Sequence, residues 1–214
     1  MHSDGQDARK AIICKFIQYL NSVSSNYILK GNTALALCYG STRFSDDFVL
    51  DALCGLEEIT NIVEQFCTLN EVEYSVDSIC NTSKRYCILY NGGTKCLNIS
   101  VEYYRKRIHA FEYVEIDGIL VYTVLCLLSQ MLNEYKGNKG QLSALYNILF
   151  ICTYYKVSLP QFAMSATANA LAYDGLKHID YLLETQGDTY RGKDINKTKL
   201  KDMAVMVFTD LGII

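Results

Sequence analysis

Lys30-Gly31-Asn32-Thr33-Ala34-Leu35-Ala36-Leu37-Cys38-Tyr39-Gly40-Ser41-Thr42-Arg43-Phe44-Ser45-Asp46-Asp47-Phe48-Val49-Leu50-Asp51 is the stretch on which the reading of this chain turns. It opens with a small-residue turn at Gly31-Asn32, followed by a short apolar helix that Thr33 can cap. It closes as a strand that carries carboxylates. Backbone N–H groups at such a turn attract phosphate. Carboxylates on a neighbouring strand could hold Mg²⁺ against the same phosphates. The plainer alternative is a tight turn followed by an acidic surface strand, and spacing alone does not separate the two.

Upstream, Ile13, Phe16, Ile17 and Leu20 fall three and four apart, which predicts an amphipathic helix over residues 6–24. Tyr27-Ile28-Leu29 is a short β-prone run. Downstream, Ile59, Ile62, Val63 and Phe66 predict a helix over residues 56–69. The texture then changes: Val72, Tyr74 and Val76 alternate with polar residues, and two further strand-like runs span 85–90 and 95–103. Asn91-Gly92-Gly93 between those runs marks a hairpin, and Asp117-Gly118 after the run 111–116 marks another turn. From Val121 the pattern becomes helical, with helices expected over 121–135, 141–155, 159–171, 176–183 and 200–208. The expected architecture is α/β (α+β): a mixed, mostly antiparallel sheet with flanking helices in residues 1–118, then a helical bundle in residues 119–214.

The chain has 214 residues, half of them apolar and a fifth charged, enough for a core that needs no metal or disulfide. A net charge of −3 gives no overall field that would gather nucleic acid or anionic lipid, so any polyanion contact must be a local patch. The nine cysteines are scattered without a Cys-x-x-Cys pair, which argues against zinc and for reduced thiols in a cytoplasmic setting. No secretory leader and no membrane span are expected, because the longest apolar run, Ile119 to Leu128, is far shorter than the ~20 residues a span requires.

The quoted stretch resembles the opening motif of the AbiEii/AbiGii toxin family, within the polymerase-beta-like nucleotidyltransferase superfamily. That family shows a Gly-Gly-Thr-x-Leu turn and helix, then Arg-Phe-Ser-Glu/Asp-Asp-Ile/Leu-Asp-Leu. Gly31, Thr33 and Leu35 match the first part; Arg43, Phe44, Ser45, Asp46, Asp47 and Leu50 match the second. The match covers residues 30–51 closely, and the order of elements agrees beyond it. The resemblance implies transfer of a nucleotide from an NTP with Mg²⁺, in some relatives onto tRNA, by toxins of abortive-infection systems that pair with an antitoxin. It places the triphosphate on Lys30, Gly31, Asn32, Thr33, Arg43 and Ser45, and the metal on Asp47.

The chain departs from the family pattern at several positions. Val49 stands where the second aspartate of the metal pair is expected. Asp51 points the same way but lies about 7 Å further along the strand. The later-strand carboxylate falls at Ser100, with Glu102 two residues on, so the candidate catalytic set is Asp47, Asp51 and Glu102. The family's lysine on the next helix falls at Met131, and its two following aspartates at Ala144 and Asn147. The expectation is therefore a nucleotidyltransferase fold with an incomplete catalytic set. Either it is an NTP-dependent transferase, or it is a catalytically degenerate homologue that binds a nucleotide or a protein partner.

Two basic stretches are candidates for phosphate or base contact. One is Tyr103-Tyr104-Arg105-Lys106-Arg107-Ile108-His109, which mixes aromatics with positive charge. The other includes Arg191, Lys193, Lys197, Lys199 and Lys201, which also reads as a solvated helix start. His178 reads as a surface residue.

Overall fold

The computed structural model describes residues 3–43, 47–103, 107–137, 141–172, 175–187 and 195–214, with backbone only for residues 3–7 and Asp47. The chain divides into two compact units. One carries the sheet and runs to Tyr122. The other runs from Thr123 to Ile214 and includes the short stretch around Ser41 and Arg43.

In the first unit, α1 (Ser3–Val23) leads to β1 (Tyr27–Lys30), and β1 passes directly into α2 (Gly31–Cys38). Gly31 makes that junction with φ +74°, a left-handed conformation that costs glycine little. There follow β2 (Asp47–Ala52), α3 (Ile59–Leu69), β3 (Tyr74–Cys80), β4 (Ser83–Tyr90), β5 (Lys95–Tyr103), β6 (Tyr113–Ile116) and β7 (Ile119–Tyr122). The strands form one sheet in the order β3-β4-β5-β2-β1-β7-β6. The pairs β2–β5 and β1–β7 are parallel, and the rest are antiparallel.

The sheet is mixed and mostly antiparallel, as the sequence suggested, with four antiparallel pairings and two parallel ones. The run Val121-Tyr122, expected to open a helix, belongs instead to β7. Four apolar residues suit a buried strand as well as a helix start, and β7 is decided by its partners: Leu29 from the far end of the unit, and β6 across the Asp117-Gly118 turn. The sheet unit accordingly extends past residue 118 by the length of β7.

The core of this unit lies against one face of the sheet. Phe48, Leu50 and Ala52 of β2, Leu97, Ile99 and Val101 of β5, and Tyr86 and Ile88 of β4 are buried there. Phe16 of α1 meets Phe48 edge-on at 5.7 Å and Phe66 of α3 at 5.0 Å. Such ring pairs add a preferred geometry to the area they bury. Thr60 of α3 and the Tyr86 hydroxyl lie 2.8 Å apart, tying the helix to β4.

Cys87 and Cys96 are joined by a disulfide between β4 and β5. This departs from the expectation of reduced thiols throughout; the hairpin sets Cys87 opposite Asn98 and Cys96 opposite Leu89, so the two lie diagonally across the pair on the same face. The other seven cysteines are thiols outside any disulfide.

The second unit consists of α4 (Val124–Gly137), α5 (Leu142–Tyr154), α6 (Gln161–Leu171), α7 (Gly175–Gln186) and α8 (Lys197–Asp210). Every residue of α5 from Leu142 to Cys152 is buried. A helix apolar all round belongs at the centre of a bundle, and α4, α7 and α8 pack against it. No helix among the described residues is long and apolar enough to cross a membrane.

Candidate functional site

The site grows from the register of three adjacent strands. Lys30 lies opposite Val49, and Ile28 opposite Asp51. Across the parallel pairing, Asp47 lies beside Asn98, Val49 beside Ser100, and Asp51 beside Glu102. Side chains alternate along a strand, and directly paired residues share a face. Lys30, Val49, Asp51, Ser100 and Glu102 therefore line one face of the sheet, and Phe48, Leu50, Ile99 and Val101 line the other.

On that polar face the Lys30 side chain bridges two carboxylates. Its Nζ lies 2.7 Å from Asp51 Oδ1 and 2.6 Å from Glu102 Oε2. The Tyr122 hydroxyl donates to Asp51 Oδ2 at 2.8 Å, while Oδ1 meets the Lys30 ammonium as an ion pair without a well-directed hydrogen bond. Tyr122 is held in turn by the Tyr39 hydroxyl, which donates to the Tyr122 carbonyl at 2.7 Å. Asp51 is only 4% exposed, while Glu102 is more open. Burial opposes the Lys30 charge, but the Asp51 and Glu102 carboxylates outweigh it and hold the ammonium above the ordinary lysine value.

This arrangement separates the expected catalytic carboxylates into two places. Asp51 and Glu102 come together. Asp47 sits at the start of β2 opposite Asn98, and β2 pairs with β5 without a shift from Asp47 to Ala52. Four strand residues at ~3.3 Å each put the Cα atoms of Asp47 and Asp51 about 13 Å apart, too far for two short side chains to share an ion. The Asp47 side chain, Phe44, Ser45 and Asp46 lie outside the described residues.

A divalent cation does not fit between Asp51 and Glu102 as the chain is folded. The ammonium of Lys30 already lies within hydrogen-bond reach of an oxygen from each, so an added ion would meet a like charge at contact distance. Among the described residues no cluster of three or more His, Cys, Asp or Glu side chains could hold a metal.

The residues expected to bind the triphosphate are similarly divided. Gly31 opens α2 from a left-handed backbone, with open space where a Cβ would be. Lys30 supplies no side-chain cap to that helix. Asn32 is half-buried, while Thr33 is wholly buried and does not present its hydroxyl to solvent. Arg43 is buried and groups with the helical unit.

In that second unit, Met131, Ala144 and Asn147 are all buried, and Asn147 Nδ2 points at Met131 Sδ at 3.5 Å. Positions where the resemblance expects charged groups here contribute to the packing between α4 and α5.

Of the basic stretches, Tyr104, Arg105, Lys106, Arg191 and Lys193 lie outside the described residues. His109 stacks on Phe111 at 5.2 Å, and its backbone N–H donates to Glu112. Lys201 pairs with Asp180 at 2.6 Å, Lys199 lies over the Tyr154 ring, and Asn196 caps α8. Those lysines behave as the start of a helix. His178 stacks on Tyr181 at 6.0 Å. Tyr122 and Tyr39 were not legible as site residues in the sequence. The only signal was a hydroxyl inside an otherwise apolar run.

No protein-family model matches the chain, and no curated protein matches it by sequence. Solved structures do share its fold. JHP933 from Helicobacter pylori superposes with a TM-score of 0.73 at 18% identity, covering 98% of this chain and 94% of that one. A candidate nucleotidyltransferase from the same organism superposes with a TM-score of 0.70 at 19% identity, covering 94% of each chain. At such identities the likeness is one of fold, and the fold is that of the nucleotidyltransferases.

Proposed function

We propose that this chain is a catalytically degenerate nucleotidyltransferase homologue that binds a nucleotide without transferring it. The observation that carries this reading is the row Lys30–Val49–Ser100 across β1, β2 and β5. The family motif expects the metal-binding carboxylates at the two strand positions of that row, and a valine and a serine stand there. In-line transfer by two metals requires several carboxylates within a few ångströms of one another, and Asp47 is isolated along the strand from Asp51 and Glu102. The phosphate end of the nucleotide would lie at the first turn of α2, which Gly31 opens from a left-handed backbone. Lys30 lessens the repulsion that two bare carboxylates would exert on it.

A second reading is favoured by the adjacency of Asp51 and Glu102 themselves: an AbiEii-type toxin that transfers a nucleotide from an Mg²⁺–NTP complex to tRNA and is restrained by an antitoxin. One assay separates the two. Radiolabelled NTPs are incubated with total tRNA and Mg²⁺, with wild-type protein and with Asp47→Ala, while NTP binding is followed by calorimetry. The degenerate reading expects binding and no incorporation in either protein. Incorporation by the wild type that disappears in Asp47→Ala would reject it in favour of the enzyme.

A further inference from the structure

We propose that the ammonium of Lys30 is the resident cation of this face, closing the Asp51–Glu102 pair to divalent ions. The proposal rests on the nucleotide reading only for the identity of the ligand; the cation itself is argued from geometry.

Two carboxylates on neighbouring strands at the same register step repel one another, and burial of Asp51 strengthens that repulsion. The folded chain must therefore supply a positive charge between them, bind one from solution, or keep one carboxyl protonated. Lys30 supplies it. It comes from the third strand, where it lies opposite Val49, two residues along from the level of Asp51, and its four-carbon stem spans that offset. The Tyr122 hydroxyl fixes the orientation of Asp51 from the other side, so this carboxylate cannot swing towards an external ion without breaking that bond. The distances suit an ammonium, whose hydrogen bonds to oxygen run near 2.7–2.9 Å. Mg²⁺ would need oxygens at about 2.0–2.1 Å and several waters in a near-octahedral shell, which the lysine stem obstructs. A nucleotide seated at the α2 turn would then meet a fixed protein cation instead of an exchangeable one, and its affinity would be insensitive to divalent ions at this pair.

The test uses Mn²⁺ as the probe and nucleotide-free full-length protein. Titration is followed by water-proton relaxation for the wild type, Glu102→Gln, Lys30→Met, and the double variant Lys30→Met/Glu102→Gln. The wild type should show no Mn²⁺ site that Glu102→Gln removes. Lys30→Met should gain one, at least about tenfold tighter than any wild-type binding, and the double variant should lose it. A wild-type site that Glu102→Gln abolishes would overturn the proposal, as would a folded Lys30→Met that gains nothing. Should Lys30→Met fail to fold, NMR of the ¹⁵N-labelled lysine side chains in the wild type still decides. The Lys30 Nζ signal should survive addition of Mn²⁺, and selective paramagnetic broadening of it would sink the idea. In a separate arm, ATP affinity in Mg²⁺ is compared with that in EDTA. Absence of ATP binding in both would defeat the nucleotide reading, while the Mn²⁺ titration would still decide the role of Lys30.

Discussion

The two faces of β2 teach different lessons from the same six residues. Phe48, Leu50 and Ala52 point into a core that α1 and α3 close with aromatic rings. That face is specified by period-two alternation and would accept many apolar sequences of similar volume. On the other face Asp51 is nearly as buried, but its stability depends on particular partners: one ammonium, one neighbouring carboxylate and one phenol. Apolar burial fails gradually as atoms are removed, whereas a buried charge network fails when a single member is lost.

The comparison can be tested first at its apolar side. Phe16→Ala removes a fully buried ring that touches both Phe48 and Phe66, and should lower unfolding free energy by about 3–5 kcal/mol in urea denaturation. On the polar side, Lys30→Met keeps the stem but leaves Asp51 buried without its cation, and should cost about 3 kcal/mol by the same measurement. If the two faces differ in kind, adding Asp51→Asn to Lys30→Met should recover part of that loss, whereas a second truncation beside Phe16 should recover none. Tyr122→Phe deletes one hydrogen bond to a charged acceptor and should cost about 1.5 kcal/mol, with little change in the near-ultraviolet signal of the core.

The smallest effect is one of pH. The Lys30 value is raised in the folded state above 10.5, so its contribution is fully present below that pH and is lost as pH climbs through the folded value. The stability difference between wild type and Lys30→Met should hold steady from neutrality to about pH 10 and shrink only above it. A difference that instead falls between pH 6 and 8 would mean that some other group carries the charge.

Local periodicity made much of the fold legible. Ile13, Phe16, Ile17 and Leu20 were spaced as a helix face, and all four are fully buried. The turns at Asn91-Gly92 and Asp117-Gly118 were legible because both need positive φ, which these residues adopt readily. β7 was misread because its four residues carry no period of their own, and its parallel partner lies in β1. At the site, Lys30 and Asp51 were visible as charged residues at the two ends of the stretch 30–51, and Glu102 as a carboxylate on the later strand 95–103. The grouping was not, since the sequence reading places Lys30 with the phosphate contacts and the two carboxylates in a catalytic set with Asp47.

The sequence by itself determined which residues could face a core, where the chain had to turn, and which charges stood near the α2 turn, because alternation, helical period and backbone preference act over a few residues. Tertiary structure alone decided that β2 and β5 run parallel in a register that sets Asp51 beside Glu102, and that Lys30 reaches both. Register between distant strands depends on how a whole sheet satisfies its hydrogen bonds and buries one face. The chemistry of this face, a carboxylate pair closed by its own lysine, follows from that collective choice.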